Sequence, residues 1–179
     1  MSKNKKIRWI GISGTWHITK SEVEKDVRAI VHEIIMRGNG IIVGGALGVD
    51  YFALDEAMNL DTNSSQIKVI LPSLFNEYIT HLRMWASGYN TGDPPITAEE
   101  AEQLIAQLSQ LKNTSPVSII ESSNIDAREI NKEVYFARNT KIVELSDEII
   151  AFQVNRSSGT QDVIDKARKL RKKVIVHAY

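Results

Sequence analysis

The sequence predicts an α/β fold, a three-layer αβα sandwich with a mainly parallel sheet. Three observations carry that prediction. Short apolar, β-prone runs alternate with longer stretches of helical periodicity. Several strand-to-helix junctions are glycine-bearing turns. The 179 residues are 42% hydrophobic and 25% charged, enough for one sizeable core and too few for two ordinary domains. Strands joined by crossover helices imply a parallel sheet covered on both faces. A single domain over residues 1–179 is expected.

Taken in order, residues 7–12 form the first strand and run into Ser13-Gly14-Thr15. Ser21 and Glu24 have the spacing of a capping box, so a helix is expected to open there. Val23, Val27, Ile30, Val31, Ile34 and Ile35 recur at helical spacing, and Gly38 ends the run. Residues 41–43 make a second strand, followed at once by Gly44-Gly45-Ala46-Leu47-Gly48 and a helix over 50–59. Residues 67–71, closed by Pro72, are the third strand. A helix over 76–86, a Gly/Pro loop over 88–95 and a helix opened by the Thr97/Glu100 box come next. Pro116 introduces a fourth strand over 117–120. A helix over 127–145 leads to a strand over 148–152, a turn over 155–160, a helix to 171 and a last strand over 173–177. Strand order stays open at this level, because periodicity carries no information about neighbours.

Lys plus Arg and Asp plus Glu each number 22, so the net charge is zero. That argues against a chain whose main task is coating nucleic acid, where neutralising phosphates drives binding. A lysine-rich N-terminus over 1–6 and the basic run over 166–173 still leave a local basic patch open; the latter reads first as a solvated helix end. There are no cysteines, which excludes disulfides and thiol chemistry. The apolar run after the N-terminus is too short for a signal peptide or a membrane span, so a cytoplasmic protein with no membrane partner is expected. His17, His32, His81 and His177 lack metal-type spacing, and no metal or cofactor is expected. His17 follows the first turn, within reach of a ligand there.

Three turns carry ligand chemistry. In open α/β sheets they share the edge at the carboxyl ends of the strands, where helix N-termini present free amides to an anion. The candidates are Ser13, Gly14 and Thr15; Gly44, Gly45, Ala46, Gly48 and Asp50; and Ser157, Ser158, Gly159 and Thr160. Arg138 and Asn139 lie just upstream of the third. Small residues also suit plain tight turns, Asp50 also suits a helix cap, and Ser/Thr at 157–160 also suits one. Their convergence favours one site for a phosphate-bearing, nucleotide-like ligand in a Rossmann-like fold.

Two stretches resemble a known family. Gly44-Gly45-Ala46-Leu47-Gly48-Val49-Asp50 resembles the glycine-rich segment of the DNA-processing protein A (DprA/Smf) family. Arg138-Asn139, Ile142, Leu145-Ser146-Asp147 and then Ser158-Gly159-Thr160 resemble its Arg-Asn segment and Ser-Gly-Thr turn. The resemblance spans about residues 7–176 and is poorest over 74–113. It implies a nucleotide-like ligand or single-stranded DNA as partner. A homo-oligomer is also expected, because an apolar helix face on a compact α/β domain can support a homodimer.

The wider superfamily includes the LONELY GUY-type phosphoribohydrolases, often labelled lysine-decarboxylase-like. These carry Gly-Thr-x-x-Glu at the last turn, with Gly-Gly nearby. Here Ser157-Ser158 stands near that place and Val163 occupies the glutamate position. Valine neither attacks nor stabilises an anomeric carbon. Asp162 is one residue early, about 100° around the helix. An N-glycosidic hydrolase or transferase acting on nucleoside monophosphates is therefore the disfavoured alternative, with Asp50, Asp162 and Glu121 as its candidate carboxylates.

Overall fold

The structure is a computed structural model that describes residues 6–17 and 20–179. Lys3 and Lys5 of the basic N-terminal segment lie outside the described residues. Six strands form one sheet, every pairing parallel: β1 (Trp9–Gly14), β2 (Gly40–Val43), β3 (Ile67–Ile70), β4 (Ile119–Ile120), β5 (Glu148–Gln153) and β6 (Lys173–Ala178), in the order β4-β3-β2-β1-β5-β6. The helices are α1 (Ser21–Met36), α2 (Val49–Leu60), α3 (Phe75–Ala86), α4 (Ala98–Thr114), α5 (Lys132–Leu145) and α6 (Ser158–Lys169).

Alternation along the strands builds the three layers. Ile10 and Ile12, Ile41 and Val43, Ile67 and Val69, and Ile150 and Phe152 point into one core with Val23, Val27, Ala53, Leu54, Leu104 and Leu108 of α1, α2 and α4. The intervening Ile149 and Ala151 face Val143, Val163, Ile164 and Ala167 of α5 and α6, while Ile42 and Ile70 meet Ile142. Both faces of the central strands are thus buried, and β2 and β5 are uniformly apolar or enclosed. Among the described residues no helix is long and apolar enough to cross a membrane.

Four expectations are corrected. The first strand runs two residues later than 7–12, so Ser13 and Gly14 are its end rather than a turn. Ser21 is not a cap: it is the first helical residue of α1, its N-cap is Lys20 with no side-chain bond, and Glu24 pairs with Arg28 instead. Only Ile119–Ile120 of the fourth strand pairs. Pro116–Ser118 form a 3-10 turn, held by the Ser118 hydroxyl on the Ser64 carbonyl. The helix expected over 127–145 starts at Lys132. Before it, Glu77 accepts from the Ala127 amide and Ser73 donates to the Ile125 carbonyl, holding the segment as a loop. Asn131 then caps α5 by accepting from the Glu133 and Val134 amides. The Thr97/Glu100 box has both of its bonds.

Candidate functional site

β1 lies between β2 and β5, so the chain leaves it toward one side for β2 and occupies the other side only later with β5. Such a reversal opens a crevice beyond the carboxyl ends of the two strands. A cleft of about 460 Å³ sits there. It brings together Ser13, Gly14 and Thr15 of β1 and its exit, Ala46 and Asp50 of the β2–α2 junction, Arg138 and Asn139 of α5, and Ser157, Ser158, Gly159 and Thr160 of α6 and its cap. His17 borders it as well. Gly44, Gly45 and Gly48 do not.

The start of α6 is its most open part. Ser157, the N-cap, makes no capping bond; its hydroxyl pairs with that of Thr160 at 2.7 Å. The first-turn amides of an α-helix have no partner within the helix, and the dipole's positive end adds to their pull on an anion. Gly159 leaves open space, for a Cβ built on it meets nothing within 4 Å. Asn139 steadies this turn, its Nδ2 donating to the Gly159 carbonyl (3.4 Å) and to Asp162 Oδ2 (3.1 Å). Thr15 is committed elsewhere: its hydroxyl accepts from the Val154 amide at 3.0 Å and stitches β1 to the end of β5.

The glycine-rich junction is arranged differently. Asp50 is the second residue of α2, yet its Oδ2 reaches back to accept from the Gly44 amide (2.9 Å) and the Ala46 amide (3.3 Å). Arg138 donates through Nη1 to the Gly44 carbonyl and lies 3.9 Å from Asp50 Oδ2. Burial pushes the Asp50 carboxyl above its ordinary range, against the pull of Arg138 and the two amides. Arg138 is itself nine-tenths buried, and its Nε has no partner among the described residues. The glycines follow from this packing. A Cβ at Gly44 would land on the Arg138 guanidinium, and Gly48, at φ +68°, would place one 2.5 Å from the Thr15 carbonyl. Gly45 sits behind the wall against Val69 and Leu71. The junction is therefore not a second open anion cradle like the first turn of α6: a carboxylate of the protein already holds the Gly44 and Ala46 amides.

The cleft also has an aromatic wall that the sequence did not announce. Trp16, Tyr78, Trp85, Tyr135 and Phe136 line the cleft with Pro94. Trp16 and Trp85 meet edge to face at 5.0 Å, and Trp85 Nε1 donates to the Pro94 carbonyl at 3.1 Å. Tyr78 donates to the Gly45 carbonyl at 2.9 Å, and burial pushes its hydroxyl up to about 12. Burial raises Tyr135 well above the ordinary tyrosine range. Behind the wall His81 is fully buried, with Nδ1 2.9 Å from the Ala127 carbonyl and Nε2 unpartnered among the described residues; burial lowers its pKa. Tyr78, Leu82 and Trp85 share one α3 face, which periodicity reads as core, and nothing in that pattern says which part of a core face borders a cleft.

Of the alternative carboxylates only Asp50 lines the cleft. Asp162 is held by Asn139 and by Lys166 at 2.8 Å. Glu121 accepts from the Phe75 amide and pairs with Lys112 at 3.1 Å. Val163 is buried in the α5–α6 core beside β5. Among the described residues no three His, Cys, Asp or Glu gather where they could hold a metal ion.

The family model of the DNA recombination-mediator protein A matches residues 1–178. DNA processing protein A from Helicobacter pylori, whose structure concerns a single-stranded DNA binding mode, superposes with a TM-score of 0.61 at 21% identity over 94% of this chain and 64% of that one. The Streptococcus pneumoniae DNA processing protein A gives 0.61 at 16% identity over 96% of this chain and 50% of that one. A molybdenum cofactor binding protein from Rippkaea orientalis gives 0.57 at 19% identity over 97% and 78%. At such identities the likeness is one of fold. The chain spans 64% and 50% of the lengths of the two DNA processing proteins. No curated protein matches it in sequence.

Proposed function

This chain belongs to the DNA recombination-mediator protein A family, and on that premise we propose that its cleft binds a phosphate-bearing, nucleotide-like ligand. One observation carries the reading: the uncapped first turn of α6 and the aromatic wall share a single cleft. A phosphate fits the first and a base the second, since backbone amides bind anions and aromatic faces stack on any base. The volume of about 460 Å³ suits a ligand of mononucleotide size. Ser157, Ser158, Gly159 and Thr160 form the phosphate subsite. Ser13, Gly14, Ala46 and Asn139 shape its floor, and Arg138, which also lines the cleft, adds its positive charge. The single-stranded DNA named for the Helicobacter pylori protein is the polymeric form of the same chemistry. Val163 and the engaged Asp162 favour binding over glycosidic cleavage by the phosphoribohydrolase route.

Gly159→Asp tests the subsite. The new side chain enters open space, so the fold stands, while its carboxylate occupies the anion's place. Nucleoside monophosphates are expected to raise the thermal midpoint of the wild-type chain and to leave that of Gly159→Asp unmoved. A wild-type chain indifferent to nucleoside phosphates and to short single-stranded DNA would remove the reading. So would a Gly159→Asp chain that responds like wild type. Steep loss of affinity with salt marks the DNA form of the ligand.

A further inference from the structure

Resting on that reading of the cleft, we propose that Asp93 and Lys132 read the base end of the ligand, and that together they select a 2-amino-4-oxopyrimidine ring, the edge shared by guanine and the pterins. Both residues line the cleft, Asp93 from the loop between α3 and α4 and Lys132 from the first position of α5. The loop is held in place rather than left to wander. Trp85 Nε1 donates to the Pro94 carbonyl, Tyr89 donates to the Arg128 carbonyl at 3.1 Å, and Thr91 Oγ1 accepts from the Asp93 amide at 3.3 Å. The Asp93 carboxylate nevertheless accepts no hydrogen bond and joins no ion pair among the described residues. Lys132 is within reach of its field but not in contact; the ammonium lies 5.3 Å from the Phe136 ring. Asp50, the other carboxylate on the cleft, is by contrast held through Oδ2 by two backbone amides.

An unpaired carboxylate offers two acceptors, and an ammonium on the same cleft offers donors. The complementary ring edge has an acceptor followed by two adjacent donors. Guanine has it, in O6, N1–H and the 2-amino group, and so does a pterin. Adenine and cytosine offer one exocyclic donor next to an acceptor, and uracil one donor between two acceptors. Phe136 and Tyr135, adjoining Lys132 on α5, supply faces for the ring to stack on. Loss of part of its solvation raises the Asp93 carboxyl, and Lys132 and His81 oppose that shift.

The test is titration calorimetry on the full chain with guanosine, inosine, adenosine and uridine monophosphates and with 6-hydroxymethylpterin phosphate. Guanosine monophosphate is expected to bind about tenfold or more tightly than the adenosine and uridine compounds, with inosine, which lacks the 2-amino group, in between. Asp93→Asn is expected to bring the guanosine-to-adenosine ratio within about threefold. Lys132→Met is expected to weaken guanosine and inosine alike, since both keep the carbonyl. The tighter of the guanosine and pterin compounds assigns the source of the ring. If all four nucleotides bind alike and Gly159→Asp abolishes them all, the phosphate site stands and the base reading falls. A preference for guanosine that survives Asp93→Asn also overturns it. If no probe binds, the base reading falls, and short single-stranded DNA then decides whether the phosphate site stands.

Discussion

At the scale of single residues, the interior holds polar groups whose partners are incomplete, and His81 makes the cleanest test. Its Nδ1 bond to the Ala127 carbonyl fits a neutral ring protonated at that nitrogen, leaving Nε2 buried and bare. Burial lowers its folded pKa below the ordinary value of 6.5. The unfolded chain therefore takes up this proton first as pH falls. The stability from a neutral His81 is complete above pH 6.5 and is lost as pH drops from there through the lower folded value. His81→Phe keeps the ring among Tyr78, Trp85 and Tyr135 but gives up the bond, costing about 1 kcal/mol at neutral pH. In urea unfolding the wild-type advantage is expected to shrink between about pH 7.5 and about pH 5.5. A gap that stays constant over that window means the imidazole is not held neutral. Residue chemistry was half legible in the sequence. The Ser-Gly-Thr turn at Ser158 and the Arg138-Asn139 pair do meet at one cleft. Asp93 and Lys132 carry no such signal, because the Gly/Pro loop that holds Asp93 follows a helix and not a strand, and only the folded chain brings that loop to the start of α5.

At the scale of elements, two sequences with the same capping-box spacing behave differently. Thr97 and Glu100 exchange both bonds at the start of α4, the hydroxyl accepting at 3.1 Å and the carboxylate at 2.7 Å. Ser21 and Glu24 exchange none, because α1 begins one residue earlier than the box requires and Arg28 takes Glu24. Thr97→Ala is expected to cost about 1 kcal/mol in chemical denaturation. Ser21→Ala should stay within about 0.5 kcal/mol. Equal losses from the two would show that α1 is capped by Ser21 after all. The contrast explains which boundaries were readable. Where the cap and the apolar period agree, as in α4, the start of the helix is written in the sequence. Where side chains far along the chain hold the backbone, as Ser73 and Glu77 do for 125–127, a local pattern extends the helix too early. Asn131 was the missed signal.

At the scale of the molecule, the strands were legible and their order was not. Apolar runs announce membership of a buried sheet, whereas neighbour choice depends on which crossover goes which way, and that left no trace in periodicity. The observed order puts β2 and β1 at the centre and leaves β6, six residues long, as an open edge with exposed and half-buried positions. Amide hydrogen exchange is expected to be slowest in β1, β2 and β5 and markedly faster at alternate, outward-facing amides of β6. Uniform protection of β6 would show instead that a second copy covers that edge, which is the form the expected homo-oligomer would then take.

The steric setting of Gly44 and Gly48 has an evolutionary consequence. A side chain at either would meet the Arg138 guanidinium or the Thr15 carbonyl, parts of the protein and not of any ligand, so the constraint does not depend on which ligand occupies the cleft. A lineage is then free to exchange one ligand for another while this signature stays fixed. Sequence searches keyed to it will gather proteins by ancestry and not by chemistry. The record of what each descendant recognises should be sought instead in the α3–α4 segment and the first turn of α5, where the exposed Asp93 and Lys132 can vary without disturbing the frame.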